Sequence, residues 1–273
     1  MKYSFNTWAF SHFPCWVPSY PIEEVIKRLA EIGYDALELG CAQPQAWPYF
    51  TDKEKRASVR KTLKENNLRI SSVLPAPGGG PGGNIASANV LEREWTKQYW
   101  KDCIDMGLEM DDCKTLLCVC GWYIYGTRKR DAWKWAMESI SEVAEYGAKN
   151  GVTLMLEPTA TDSNLVESCE DAINMMEDID MENVKLMFDT THALYRNVYL
   201  MNENLKHIHM ADYNRKAPGT NGCDFVEIMQ ALKDINYDGY ITMENGFESR
   251  SSHPFVVARQ SLENLKAIEN SLK

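Results

Sequence analysis

Four short strings in the second half of the chain each run apolar residues into one side chain able to hold a metal ion. They are Leu154-Met155-Leu156-Glu157, Leu186-Met187-Phe188-Asp189, His207-Ile208-His209 and Ile241-Thr242-Met243-Glu244. Three carboxylates and an imidazole gathered in one place would repel, because carboxylates within about 4–6 Å of one another force one of them to stay protonated. A divalent cation is the usual alternative, and an O3N donor set with room for substrate suits Mn²⁺, Mg²⁺ or Co²⁺ better than structural zinc. Singly, each acid would pass for a helix cap or an ion-pair partner; four at matching strand ends argue for one shared ion. His207, two residues before His209, points the same way but deeper, and is expected to support the site rather than ligate. His192 and Arg215, on the loops that leave these strings, are expected to reach a ligand's oxygens. His12 and His253 adjoin no proposed ligand, and Trp8, Trp16 and Trp122, near strand ends, could wall a sugar ring or equally well serve core packing.

The four residues converge only if their strands end at one level, which the rest of the pattern must arrange. Hydrophobicity switches repeatedly between period 2 or solid apolar runs and period 3.6, the signature of strand-helix units around a parallel sheet. Strands are predicted at Tyr3–Asn6, Tyr34–Gly40, Arg69–Pro75, Thr115–Gly121, Val152–Glu157, Val184–Thr190, Leu205–Ala211 and Tyr240–Asn245. Helices are predicted from Pro21 to Gly33, then over Asp52–Asn66, Val90–Met106, Asp131–Lys149, Ser168–Met176, a short stretch after His192, Asp224–Leu232 and Pro254–Leu272. Eight units in 273 residues, close to the ~250-residue norm, predict a single-domain (β/α)8 TIM barrel over 1–273, whose strand C-termini form the active mouth. A doubly wound open sheet is the runner-up, but no linker divides the chain. The run Gly78-Gly79-Gly80-Pro81-Gly82-Gly83 has neither a dinucleotide fingerprint nor a P-loop lysine and reads as a loop or lid.

Composition removes other classes. With 29 Lys+Arg against 39 Asp+Glu, the formal net charge is −10, the wrong field for nucleic acid, and Arg128-Lys129-Arg130 reads as a solvated face. No run approaches the ~18 apolar residues of a membrane helix, and the first residues lack a signal peptide's apolar stretch, so a cytoplasmic protein without membrane partners is expected. Eight cysteines without CxxC spacing read as reduced thiols, with Cys118 and Cys120 on one strand face.

Glu157-Pro158, Asp189-Thr190-Thr191-His192, His207-Ile208-His209 followed by Asn214-Arg215-Lys216-Ala217-Pro218-Gly219, and Tyr237-Asp238-Gly239-Tyr240-Ile241-Thr242-Met243-Glu244 resemble the xylose-isomerase-like sugar isomerase/epimerase barrels. The look is closest to the D-tagatose 3-epimerase and D-psicose 3-epimerase group and covers essentially the whole chain. The resemblance implies that Glu157, Asp189, His209 and Glu244 hold one Mn²⁺-type ion, that Glu157 and Glu244 double as acid/base groups, and that His192 and Arg215 hold substrate oxygens. A homo-oligomer acting on a small sugar is expected. One stretch departs: the epimerases carry Glu-Pro-x-Asn-Arg-x-Glu after strand five, whereas this chain reads Glu157-Pro158-Thr159-Ala160-Thr161-Asp162-Ser163, with Ser163 where a substrate-side Glu is expected.

The chemistry expected is proton abstraction beside a metal-chelated carbonyl, through an enediolate. Two carboxylates flanking the sugar would invert a carbon; one serving both steps would interconvert aldose and ketose. The same intermediate could expel a β-substituent, so a dehydratase or a lyase on a 3-oxo-glycoside is the alternative, and the altered stretch 159–163 keeps it open. An apurinic-endonuclease-type barrel with three zinc ions is disfavoured by five histidines and the acidic charge. A non-catalytic sugar-binding barrel remains a further alternative. With only Arg250 near the last strands and no phosphate loop, a non-phosphorylated sugar is expected.

Overall fold

Residues 1–11, 19–41, 43, 45–76, 82–191, 194–245 and 253–272 are described in the computed structural model of the chain. Its eight strands are β1 (Lys2–Asn6), β2 (Ala36–Cys41), β3 (Arg69–Pro75), β4 (Thr115–Val119), β5 (Thr153–Glu157), β6 (Val184–Asp189), β7 (Leu205–Met210) and β8 (Tyr240–Met243). They close in sequence order, all parallel, with β1 also paired to β8. The helices are α1 (Ile22–Ile32), α2 (Lys53–Glu65), α3 (Val90–Asp111), α4 (Lys129–Lys149), α5 (Cys169–Ile179), α6 (Arg196–Met201), α7 (Phe225–Asp234) and α8 (Pro254–Ser271). This is the TIM barrel that the hydrophobic pattern predicts, with each strand and helix in its expected place.

Helix ends follow local chemistry. Gly33 closes α1 in the left-handed region at φ 103°, Asp52 caps α2 by accepting from Lys55 N at 2.8 Å, and Ser168 and Asp171 form a reciprocal capping box at the start of α5. Helix α3 runs five residues past the expected Met106. Gly107 does not stop it; a Cβ there would stand 2.7 Å from Val73 Cγ1, so the glycine lets α3 lie close on β3.

Alternate strand residues face opposite ways. Outward side chains such as Phe5, Leu37, Leu39, Leu156, Phe188, Ile208 and Ile241 join the helices in one continuous core. Inward ones split into two groups. Trp8, Leu74, Ala76, Leu117, Val119, Met155 and Met187 form a separate apolar cluster, while Ser4, Asn6, Glu38, Ser72, His207, His209 and Thr242 are buried polar groups. Two register shifts serve the polar side. One between Leu37 and Glu38 sets Glu38 beside Ser72, and one between Leu186 and Met187 sets Asp189 beside His209.

No helix among the described residues is long and apolar enough to cross a membrane. The seven described cysteines are unpaired, in keeping with reduced thiols, and Cys118 and Cys120 belong to the outer core. Arg128 begins α4 exposed, paired to Asp131 at 2.6 Å.

Candidate active site

Glu157 ends β5, Asp189 ends β6, His209 sits one residue before the end of β7, and Glu244 follows β8 directly. All four are buried, and one donor atom from each lies within 4.8 Å of the others. His209 Nδ1 faces the three acids, 3.3 Å from Glu244 Oε2 and 3.8 Å from Glu157 Oε1, and makes no hydrogen bond. A buried nitrogen with no partner is costly unless something else occupies its lone pair. A divalent ion would do so, and the donor set, three carboxylates and one imidazole, fits a hard or borderline ion.

The opposite ring nitrogen is fully engaged. His209 Nε2 lies 2.7 Å from Glu38 Oε1; an ionised carboxylate can only accept, so the imidazole donates from Nε2. His207 Nε2 lies 2.9 Å from the other oxygen, Glu38 Oε2, and 3.1 Å from Thr242 Oγ1, which puts His207 behind His209 and away from the three acids. Asp189 is held by Thr191, whose N–H and hydroxyl both donate to its Oδ1 at 2.7 Å. Thr190 ties the ends of β6 and β7 together, donating to Ala211 O at 2.8 Å and accepting from Ala211 N at 3.0 Å.

Arg215 reaches in from the loop after β7. Its Nη1 contacts Glu244 Oε2 and lies 3.4 Å from Asp189 Oδ2. The loop is bent to allow this, with Asn214 at φ 59° and Arg215 at φ 51°, both left-handed. Buried Asp212 holds the bend. Its N–H donates to Lys216 O at 2.9 Å, and its carboxylate accepts from the N–H groups of Tyr213, Thr220, Asn221 and Cys223 at 2.7–3.0 Å.

Crowding sets the protonation of the acids. Burial pushes the Glu157 carboxyl well above the usual range, and the charges of Glu244 and Asp189 add to this against the pull of His209. Glu244 is buried too, but Arg215 and His209 outweigh that and hold it down to about 2. Burial disfavours the His209 imidazolium, yet Glu38 and Glu244 win and hold its pKa well above the ordinary value. The crowding thus favours the protonated forms of Glu157 and His209, and a cation among them would balance the same charge.

Residues 26–268 match the family model for the xylose isomerase-like TIM barrel. The chain belongs to that family. A D-psicose 3-epimerase of Enterocloster bolteae is 26% identical over 84% of this chain and 77% of its own length. A fructoselysine 3-epimerase of Shigella flexneri is 25% identical over 94% of this chain and 96% of its own, and an inosose dehydratase of Geobacillus kaustophilus is 23% identical over 97% and 93%. Among solved structures, the D-psicose 3-epimerase from Clostridium cellulolyticum H10 with D-tagatose superposes at a TM-score of 0.84, covering 98% of this chain and 99% of that one; at 20% identity this likeness speaks to the fold.

Within this xylose isomerase-like barrel, Glu157, Asp189, His209, Glu244 and Arg215 lie together. Trp8 lies just past β1, 6% exposed, its ring packed where a Gly40 Cβ would come within 3.0 Å. Trp122, half-buried after β4, exchanges hydrogen bonds with Asn84 and lines a small cavity with Pro75, Ala76, Gly83 and Val119. His253 stands at the N-cap position of α8 beside Tyr20, without a side-chain capping bond. His192, Trp16, His12 and Arg250 lie outside the described residues.

Ser163 does not face the acids. Its hydroxyl donates to Gly121 O at 2.6 Å and accepts from Leu165 N and Val166 N, stapling the loop after β5 to the loop after β4. Two site residues escaped the sequence reading. Glu38 sits inside Leu37-Glu38-Leu39, which reads as an ordinary outward polar position; the usable signal was that parallel barrel strands are covered on both faces, so any acid there is buried. Asp212 was overshadowed by Arg215 three residues on.

Proposed function

We propose that the chain is a divalent-metal-dependent sugar epimerase of the ketose 3-epimerase kind, with Glu157, Asp189, His209 and Glu244 as the ion's protein ligands and Mn²⁺ as the ion. The observation that carries this is the buried Nδ1 of His209, which makes no hydrogen bond, converging with three carboxylates from three other strands. When bound there, such an ion would polarise a sugar carbonyl and the adjacent hydroxyl and so acidify the C–H between them. Glu157 and Glu244 come from strands on different walls of the mouth, so one can take the proton from carbon and the other return one on the opposite face. Arg215, anchored by Asp212, holds a substrate oxygen over the acids, and His192 is the second residue assigned to substrate oxygens. Trp8 and Trp122 wall the ring and exclude water. The reading brings with it a non-phosphorylated sugar, a cytoplasmic setting and a homo-oligomer.

A second outcome on the same site is elimination. It is favoured by Ser163, which is turned into the loop and leaves the substrate side without the expected carboxylate, and by the inosose dehydratase among the relatives. One experiment separates the two. Mn²⁺-loaded protein is incubated in D2O with D-psicose, D-fructose, fructoselysine, an inosose and a 3-oxo-glucoside. Deuterium at C3 of a ketose together with its epimer supports epimerisation; loss of water or of the glycosidic substituent supports elimination. No exchange and no product with any of them would overturn the enzymatic reading.

A further inference from the structure

Glu38 is completely buried in β2, away from the mouth, and both of its oxygens are used. Oε1 accepts from Asn6 Nδ2 at 2.8 Å and from His209 Nε2 at 2.7 Å; Oε2 accepts from the Ser72 hydroxyl and has His207 Nε2 2.9 Å away. A buried carboxylate kept only for stability would be satisfied by Asn6, Ser72 and His207. The remaining donor is the ring whose far nitrogen faces the acid cluster. An imidazole that ligates through Nδ1 must carry its proton on Nε2 and have its plane fixed, and a carboxylate behind it does both.

We propose that Glu38 is the positioning residue of the metal site, holding His209 by its Nε2–H so that the Nδ1 lone pair is aimed at the ion. This rests on the metal-binding reading above. The register shift at Leu37/Glu38 then acquires a purpose: it is what seats the carboxylate beside Ser72 and level with His209. His207 fills the second oxygen and, through Thr242, links β7 to β8 beneath the site.

The test uses the full chain and Mn²⁺ alone, with no substrate. Titration gives the Kd, and pulsed EPR of the bound Mn²⁺ reports directly coordinated nitrogen through its ¹⁴N modulation. Wild type is expected to bind one Mn²⁺ with a ¹⁴N coupling. Glu38→Gln keeps the shape but turns a donor towards one of the groups that Glu38 accepts from. It is expected to bind Mn²⁺ about ten- to a hundredfold more weakly, with the ¹⁴N coupling diminished. A merely structural role would lower the thermal midpoint of Glu38→Gln and leave Kd and coupling at wild-type values, and that result overturns the proposal. Should Glu38→Gln not fold, Ser72→Ala removes one hydrogen bond from the same carboxylate and is expected to weaken Mn²⁺ binding by roughly threefold; unchanged binding in that variant overturns the proposal as well. A wild type that takes up no Mn²⁺ removes the metal reading itself, whereas wild-type uptake with ¹⁴N coupling that both variants share removes only the role of Glu38.

Discussion

On the side of the barrel built by β3 to β6, apart from Ser71 and Ser72 of β3, the lumen is filled by Leu74, Ala76, Leu117, Val119, Met155 and Met187 with Trp8 beside them. On the side built by β7, β8, β1 and β2 it holds His207, His209, Thr242, Ser4, Asn6 and Glu38, each in a hydrogen bond. The apolar side needs only volume, and any side chain of similar size would serve it. The polar side tolerates little, because removing one member strands the others in a place water does not reach. The four candidate ligands stand where the two sides meet: Glu157 and Asp189 cap strands of the apolar side, and His209 and Glu244 cap strands of the polar side. The apolar side therefore supplies a dry wall and the polar side supplies orientation, a division that variants can break or sharpen.

The largest effect is expected at the ligands. Glu157→Gln keeps the shape of the site and should cut turnover by about two to four orders of magnitude while the thermal midpoint holds or rises, since it relieves crowded acids. Unchanged turnover would remove Glu157 from the chemistry. Next in size is Leu117→Ala in the apolar side, which should cost about 2–5 kcal/mol of stability by denaturant unfolding, with Mn²⁺ affinity intact. A large loss of affinity in that variant would erase the distinction between the two sides.

A pH series sharpens the comparison further. Burial, Glu244 and Asp189 raise the pKa of Glu157, and Glu38 and Glu244 raise that of His209 against the opposing effect of burial. A divalent ion displaces both protons, so Mn²⁺ affinity rises with pH, by up to about tenfold per pH unit for each proton released. Calorimetry in buffers of different ionisation enthalpy counts those protons; zero release between pH 6 and 7 would contradict the crowding argument. Smallest is Ser163→Ala, which removes a staple between two loops and should cost about 1 kcal/mol with little change in Mn²⁺ binding. A strong drop in Mn²⁺ affinity in that variant would place Ser163 closer to the chemistry than its hydrogen bonds do.

Much of this was legible in residue order. A parallel barrel writes its strands as apolar runs and its helices as period-3.6 stripes, and the polar residue that ends a run is at the mouth, which is why Glu157, Asp189, His209 and Glu244 stand out. Glu38 did not, because alternation in Leu37-Glu38-Leu39 looks the same whether the acid faces water or the lumen; only closure of the barrel, bringing β7 within reach of β2 across the lumen, reveals its partners. The extension of α3 past Met106 was hidden for a similar reason. Gly107 is a breaker by propensity, and only its contact with Val73 shows that it is there for closeness. Asp212 works through backbone N–H groups, which leave no mark on residue type.

The central claim is one divalent ion held by four side chains with His209 presenting Nδ1. An anomalous difference map collected at the manganese edge from Mn²⁺-soaked crystals tests it most directly. The account predicts a single strong peak contacted by Glu157, Asp189, His209 Nδ1 and Glu244, with His209 Nε2 still bonded to Glu38. No peak among those four side chains, or a peak bound through Nε2 with Glu38 displaced, would contradict it.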